Sequence, residues 1–436
     1  MSGMPDAPAS RSFVVQALAR VEGEGAMHVK LRDGRVEDIR LEIYEPPRFF
    51  EAFLRGRRFT EAPDITARIC GICPVAYQLS SIAAMEDACA TAVAPAVREL
   101  RRLIYCGEWI ESHTLHVFML HAPDFLGYRS GFEMAAEHRA IVEGALRLKR
   151  AGNALMSVVG GREIHPINLR VGGFYRAPRR DELTPVARML EDELEFAQEA
   201  VRFAGSLPAP ELELEYEFVA LREPQTYAIE SGRLASSGGL DIGPRAYREH
   251  FVEEQVAHST ALHSRLRDGR SYLVGPLARY ALNSQRLSPL ARDAAERAGL
   301  GEVCRNPYRS IVVRTVEILY ALEEALRIIA CYEPPELPAA DVTPRAGVGA
   351  GWTEAPRGML WHRYEIDAAG TIIDARIVPP TSQNQRRIEQ DLRACVERFA
   401  QLPDEELALR CEQTIRNHDP CISCATHFLD LTVDRG

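Results

Sequence analysis

The chain has 436 residues, 46% of them hydrophobic and 26% charged, with a formal net charge of −10. That length holds two or three ordinary domains, or one large one with a substantial core, and the negative balance without a basic run argues against a nucleic-acid partner, whose phosphates call for a basic face. No apolar stretch reaches the roughly 20 residues that span a bilayer, and the start, "MSGMPDAPASRSFVVQALARVEG", lacks the charged-then-apolar pattern of a secretory signal. In chain order, "AMHVKLRDGRVEDIRLEIYE" (26–45) alternates apolar and polar residues about "RDGR", the pattern of a β-hairpin. Long helices are predicted over "VRELRRLIYCGEWIESHTLHVFMLH" (97–121), "ELTPVARMLEDELEFAQEAVRFA" (182–204) and "YRSIVVRTVEILYALEEALRIIA" (308–330), which repeat apolar residues at helical spacing. Pro-rich breaks at 207–210 and 333–344 separate helices without reading as long linkers. "HRYEIDAAGTIIDARIV" (362–378) predicts a second hairpin, turning at Ala368–Gly370. There is no internal repeat. The expectation is an α+β fold in one domain over 1–436: a large, mainly helical body, a helix bundle, with small β-hairpins near both sequence ends.

Chemistry concentrates in the cysteines. "RICGICPVAY" sets Cys70 and Cys73 in a CxxC near one end, and "DPCISCATH" repeats the spacing with Cys421 and Cys424 near the other. Ten cysteines in so long a chain are too sparse for a disulfide framework. Each CxxC can bite one metal from a single turn, and four thiolates make a zinc or iron–sulfur site. A structural zinc is the plain reading, yet its pairs usually stand about 15–20 residues apart. Pairs at opposite ends of a large chain point instead to a site buried between regions the fold brings together. The other cysteines, Cys89, Cys106, Cys304, Cys331, Cys395 and Cys411, lack such spacing and read as small core residues.

The surroundings of these pairs carry a resemblance. "RVEGEG" near the start, the two CxxC motifs, "GGREIHPINLRVGGF" (160–174), "EAPRG" (354–358) and "VPPT" (378–381) stand in the order found in the large, catalytic subunit of nickel–iron hydrogenases. The chain resembles that family along its whole length, and most of all its cytoplasmic, NAD(P)-linked bidirectional or sulfhydrogenase-type branch. The resemblance implies a nickel and an iron, the iron carrying CO and cyanide. Soft thiolates suit both metals when two sulfurs bridge them. By motif position, Cys70 and Cys421 would be terminal nickel ligands, and Cys73 and Cys424 would bridge nickel and iron. Arg357 and Pro356 of "APRG" would face the diatomic ligands, with Pro379 of "VPPT" as an apolar wall and Thr381 offering a hydroxyl. Pro380 and Thr381 share the position that meets cyanide, so which of them does so stays open.

The reaction implied is H2 ⇌ 2H⁺ + 2e⁻ by heterolysis, with a base taking the first proton. Cys421 or Arg357 would receive it; an arginine serves as a base only when unusually positioned and desolvated. Glu22 of "RVEGEG" would be the first relay, since burial raises a carboxylate into the range where it passes protons. The alternative for Glu22 is a solvated turn before a strand, and Glu24 keeps that reading. Asp419 would support the site by pairing with Arg357. Glu51 and His427 fall where the family binds magnesium, with a backbone carbonyl near Arg376–Ile377.

Other motifs read more plainly. His113, His116 and His121 lie on the 97–121 segment and, without carboxylate partners in the sequence, read as core or supporting histidines. "GVGAGW" (347–352) is only loosely like a phosphate loop, with no strand-then-helix unit about it, so a nucleotide would bind another subunit. One departure from the family stands in the first motif: Tyr77 occupies the place of the usual histidine, keeping a hydrogen-bond donor for a bridging sulfur but no cation. The alternatives are a hydrogen sensor on the same scaffold, a structural four-cysteine zinc protein, and the quinone-reductase relative, which lacks the cysteine set. No further iron–sulfur motif is present, which implies an iron–sulfur small subunit and flavin- and NAD(P)-binding diaphorase subunits. Residues 428–436, "FLDLTVDRG", lie past the end of the family's mature chain and imply removal by a maturation endopeptidase after His427.

Overall fold

A computed structural model describes residues 10–426. At its start, strands Ser10–Val15, Gly25–Arg32 and Arg35–Ile43 form an antiparallel sheet in sequence order. The turn of its second hairpin is Asp33–Gly34, both at positive φ (53° and 74°), the two-residue geometry that matches strand twist and that Asp-Gly favours. Alternation then puts Met27, Val29, Leu31, Val36, Ile39, Leu41 and Ile43 on one face. That face packs against Ile388, Leu392, Cys395 and Val396 of helix Pro380–Arg398 and against Leu407, Cys411 and Ile415 of helix Asp404–Asn417. The N-terminal sheet is therefore buried on the C-terminal helices, and the two sequence ends meet.

The largest core lies among helices Pro74–Cys89, Pro95–Thr114, Arg139–Gly160 and Ser310–Ala330. Another antiparallel sheet, Gly347–Ala355, Gly358–Ile366 and Ile372–Val378, runs into helix Pro380–Arg398. The "GVGAGW" segment is its first strand and no phosphate loop. Its glycines let the strand lie on helix Pro74–Cys89: a Cβ on Gly349 would stand 2.1 Å from the Ala84 carbonyl oxygen.

The fold is thus mixed helix and sheet, with a helical body and small antiparallel sheets, as the sequence predicts. Several boundaries differ. The predicted 97–121 helix is α-helical over Pro95–Thr114 and continues as a π-helix, Leu115–His121, a widening that apolar spacing does not encode. The 182–204 segment is two helices, Arg180–Asp192 and Leu194–Ser206. The 308–330 helix begins at Ser310, after a 3-10 turn over Pro307–Arg309 capped by the Asn306 side chain. Both hairpins gain a third strand, Ser10–Val15 and Gly347–Ala355. Three further small sheets, in 169–174, 219–242 and 251–266, went unpredicted because strands of two to four residues are too short to show alternation. No helix among the described residues is long and apolar enough to cross a membrane.

Candidate metal centre

The two CxxC motifs close on each other. Cys70 Sγ lies 3.6 Å from Cys421 Sγ and Cys73 Sγ 3.8 Å from Cys424 Sγ, and all four sulfurs fall within 4.8 Å. Thiolates about 2.3 Å from a tetrahedral metal would stand about 3.8 Å apart, so the sulfurs are already at metal-binding spacing. All four are buried.

Each motif is set by its local backbone. Cys73 is the residue before helix Pro74–Cys89, whose first amides would otherwise lack partners. Glu108, fully buried on the neighbouring helix, accepts the amides of Val75 (2.6 Å) and Ala76 (3.1 Å) and so fixes that helix start. The amides of Ile72 and Cys73 donate to Cys70 Sγ at 3.3 and 3.2 Å. Hydrogen bonds from Cys421, Cys424 and Cys73, with Arg357 nearby, hold the Cys70 thiol well below its usual range. The second motif is held by the N-terminal segment: the Ile422 amide donates to the Glu22 carbonyl at 2.9 Å, a parallel bridge between the two ends.

That bridge brings the Glu22 side chain to the sulfur. Cys421 Sγ donates to Glu22 Oε2 at 3.0 Å, and the Ser423 amide donates to the same oxygen at 3.0 Å. Glu22 is half-buried, while Cys421 is enclosed and burial pushes its thiol pKa up. Glu24 is exposed, in keeping with a solvated turn. Across the site, Ala355 pairs with Gly358, so Pro356 and Arg357 form the tip of a hairpin. Arg357 Nε donates to the Asp419 carbonyl (2.9 Å) and Nη2 to Asp419 Oδ1 (3.2 Å). Burial opposes the Arg357 charge, but Asp419, Cys421, Cys73 and Cys70 hold its pKa well above the ordinary value. Asp419 sits at φ 51°, a left-handed conformation that aspartate tolerates better than most residues.

The other predicted residues fall as follows. Thr381 Oγ1 accepts the Cys421 amide at 3.0 Å, so its hydroxyl proton remains available to donate; Pro380 has no such group. Pro379 precedes helix Pro380–Arg398 and its carbonyl accepts the Ser382 hydroxyl at 3.0 Å. Tyr77 is buried near Cys424 and Cys73, and its hydroxyl finds no hydrogen-bond partner in the protein. Glu51 accepts the Ile377 amide (2.7 Å) and Arg376 Nη1 (3.2 Å), and burial raises its carboxyl to about 7. His427 lies outside the described residues.

Residues without a motif matter as much. Arg279, fully buried over the Trp109 ring (4.5 Å), donates to the carbonyls of Ala355 and Pro356, both at 2.8 Å, and pairs with Glu354 (3.1 Å) and Glu317 (2.7 Å). It fastens the hairpin tip that carries Arg357. His113, read as lacking a carboxylate partner, has one from another helix: Glu317 lies 2.9 Å from its Nε2. Nothing in the sequence marks Arg279, Glu317 or Glu108, because their partners are distant in the chain.

The donor set fits nickel and iron. Four soft sulfurs stand at bonding distance, and beside them Arg357 Nη1 and Asp419 Oδ2 are buried without a protein partner, as polar groups facing a small bound ligand would be. A family model described as nickel-dependent hydrogenase matches residues 48–143 and 268–427. Sulfhydrogenase 1 subunit alpha of Pyrococcus furiosus is 32% identical over 96% of this chain and 98% of its own length. Sulfhydrogenase 2 subunit alpha of the same organism is 34% identical over 95% and 98%. The NAD-reducing hydrogenase HoxS subunit beta of Cupriavidus necator is 28% identical over 96% and 95%. Among solved structures, an NAD⁺-reducing [NiFe]-hydrogenase in the H2-reduced state superposes with a TM-score of 0.86 at 27% identity, covering 96% of this chain and 99% of that one.

Proposed function

This chain belongs to the nickel-dependent hydrogenase family as its large, catalytic subunit, an oxidoreductase acting on H2, and we propose that it works in the NAD(P)-linked, sulfhydrogenase-type branch. Cys70, Cys73, Cys421 and Cys424 would hold the nickel and iron, Cys70 and Cys421 on the nickel alone and Cys73 and Cys424 shared with the iron. When bound, the nickel–iron centre supplies the redox-active Lewis acid that polarises H2 and takes its electrons. The observation that carries the reading is the contact between Cys421 Sγ and Glu22 Oε2 at 3.0 Å, inside a set of four buried cysteines.

The chain's own residues then move the proton. Cys421 Sγ accepts it and hands it to Glu22, whose half-buried carboxylate opens the way to solvent. Arg357, held by Asp419 and by the hairpin tip, would offer Nη1 to cyanide and CO on the iron, and Thr381 would offer its hydroxyl. Pro356 and Pro379 keep water from that side. Glu51, with His427, supplies ligands for a magnesium ion. Electrons leave through an iron–sulfur small subunit toward flavin- and NAD(P)-binding diaphorase subunits, a cytoplasmic hetero-oligomer. An endopeptidase removes 428–436 once nickel is loaded, and the new end closes over Cys424.

Infrared spectroscopy of the purified complex tests the centre: CO and cyanide stretches are expected, and their absence from a nickel-loaded, active enzyme would refute the ligand set. Intact-mass measurement tests the maturation step. A fully active subunit still carrying Phe428 to Gly436 would refute cleavage.

A further inference from the structure

His258, His263 and Glu389 offer three ligand atoms within 4.8 Å of one another, well apart in sequence from every cysteine of the centre. His258 Nε2 lies 2.8 Å from Glu389 Oε1, and His263 Nδ1 lies 4.0 Å from Glu389 Oε2. The two rings stand edge to face, with centroids 5.5 Å apart. From this arrangement we propose a second metal site, taking one divalent cation of the zinc type on two imidazoles and one carboxylate.

An ion pair alone explains less. It would account for His258 against Glu389, but not for His263, buried with its Nδ1 turned to the same carboxylate at 4.0 Å, beyond hydrogen-bond reach. Ligands about 2.0–2.1 Å from a tetrahedral metal stand about 3.3 Å apart, a spacing that falls between the 2.8 Å and 4.0 Å contacts to the two Glu389 oxygens. Two imidazoles and a carboxylate suit zinc and disfavour magnesium or calcium, which want oxygen throughout. His258 and Glu389 are partly exposed (23% and 17%), which leaves the solvent side for a water as fourth ligand.

The site joins three elements. His258 lies in the loop between strands Phe251–Glu254 and His263–Leu266, His263 opens the second strand, and Glu389 sits mid-way along helix Pro380–Arg398. Glu389 Oε1 also accepts the Leu41 amide at 3.0 Å, and the Thr260 amide donates to the Ile43 carbonyl at 2.8 Å, tying helix and loop to the N-terminal sheet. A cation here staples the 251–266 strand pair to the helix whose start carries Thr381. Its role is structural.

Metal analysis of the purified complex tests this. The complex is dialysed against micromolar Zn²⁺ and then metal-free buffer, in parent, His258→Asn and Glu389→Gln forms. The parent should retain about one more zinc per chain than either variant, at equal nickel and iron content. Equal zinc in all three overturns the site, whatever zinc the other subunits hold. Should a variant assemble poorly, thermal melting decides: zinc should raise the parent's midpoint and leave that of His258→Asn unmoved, and an equal rise in both refutes the proposal.

Discussion

At the residue scale, the function turns on how two groups that cannot work alone are placed together. A buried thiol such as Cys421 resists ionising, and an exposed glutamate gives its proton to water rather than to a sulfur; their 3.0 Å contact at the edge of the buried region resolves both. Glu22→Gln keeps the volume and the bond from the Ser423 amide but cannot carry a proton. It should leave nickel and iron in place and slow H2/D⁺ exchange on the order of 10²- to 10⁴-fold; exchange at the parental rate would remove Glu22 from the path. Cys421→Ser replaces a soft sulfur with a hard, weakly acidic hydroxyl. Its nickel content, read by elemental analysis, should fall to background. Much of this was legible in the sequence, because CxxC, "RVEGEG" and "APRG" are local and their residue types state their chemistry. The sequence did not reveal what holds them. Arg279 reaches the Ala355 and Pro356 carbonyls from another element, and no short motif marks a guanidinium chosen for that distance.

At the element scale, close approach and burial decide what periodicity leaves open. Gly349 and Gly351 were visible as glycines, but their reason is the backbone of helix Pro74–Cys89, which lies a long way off in sequence. Gly349→Ala must push strand from helix, and an overpacked contact of this kind costs about 1–3 kcal/mol. Since the strand leads to Arg357, both the melting temperature and nickel retention should fall; an unchanged melting temperature would show that the two elements separate freely. The pairing of His113 with Glu317 makes a pH prediction. Burial lowers the folded imidazole to about 4, against a Glu317 contact that raises it. The unfolded imidazole binds its proton near 6.5, so between these values the unfolded state holds more protons. The stability from neutral His113 is therefore complete above about pH 6.5 and is lost as pH falls toward 4, by about 3 kcal/mol at the lower end. Urea midpoints at pH 7 and pH 4.5 should differ less in His113→Gln than in the parent, and an equal difference would assign the acid sensitivity elsewhere.

At the scale of the whole molecule, the site exists because the two ends of the chain are folded onto each other. The apolar face of the N-terminal sheet, with Leu41 and Val29, is buried on helices Pro380–Arg398 and Asp404–Asn417, and this cluster is separate from the larger core about Leu148. Alternation in 26–45 predicted that a face would be buried, but not what would cover it, since the partner lies at the other end of the sequence. The separation can be tested. Leu41→Ala and Leu148→Ala each remove a fully buried leucine side chain outside the four-cysteine centre, and each should cost about 2–5 kcal/mol. If stability alone governed the centre, equally destabilised variants would keep equal nickel. The architecture argues otherwise: Leu41 lies on the sheet whose packing positions Glu22 and, through the Glu22–Ile422 bridge, the Cys421 motif. At matched distance below their melting temperatures, Leu41→Ala should therefore hold less nickel than Leu148→Ala and exchange protons more slowly. Equal nickel and equal exchange in the pair would mean that the second CxxC holds its place without the N-terminal sheet.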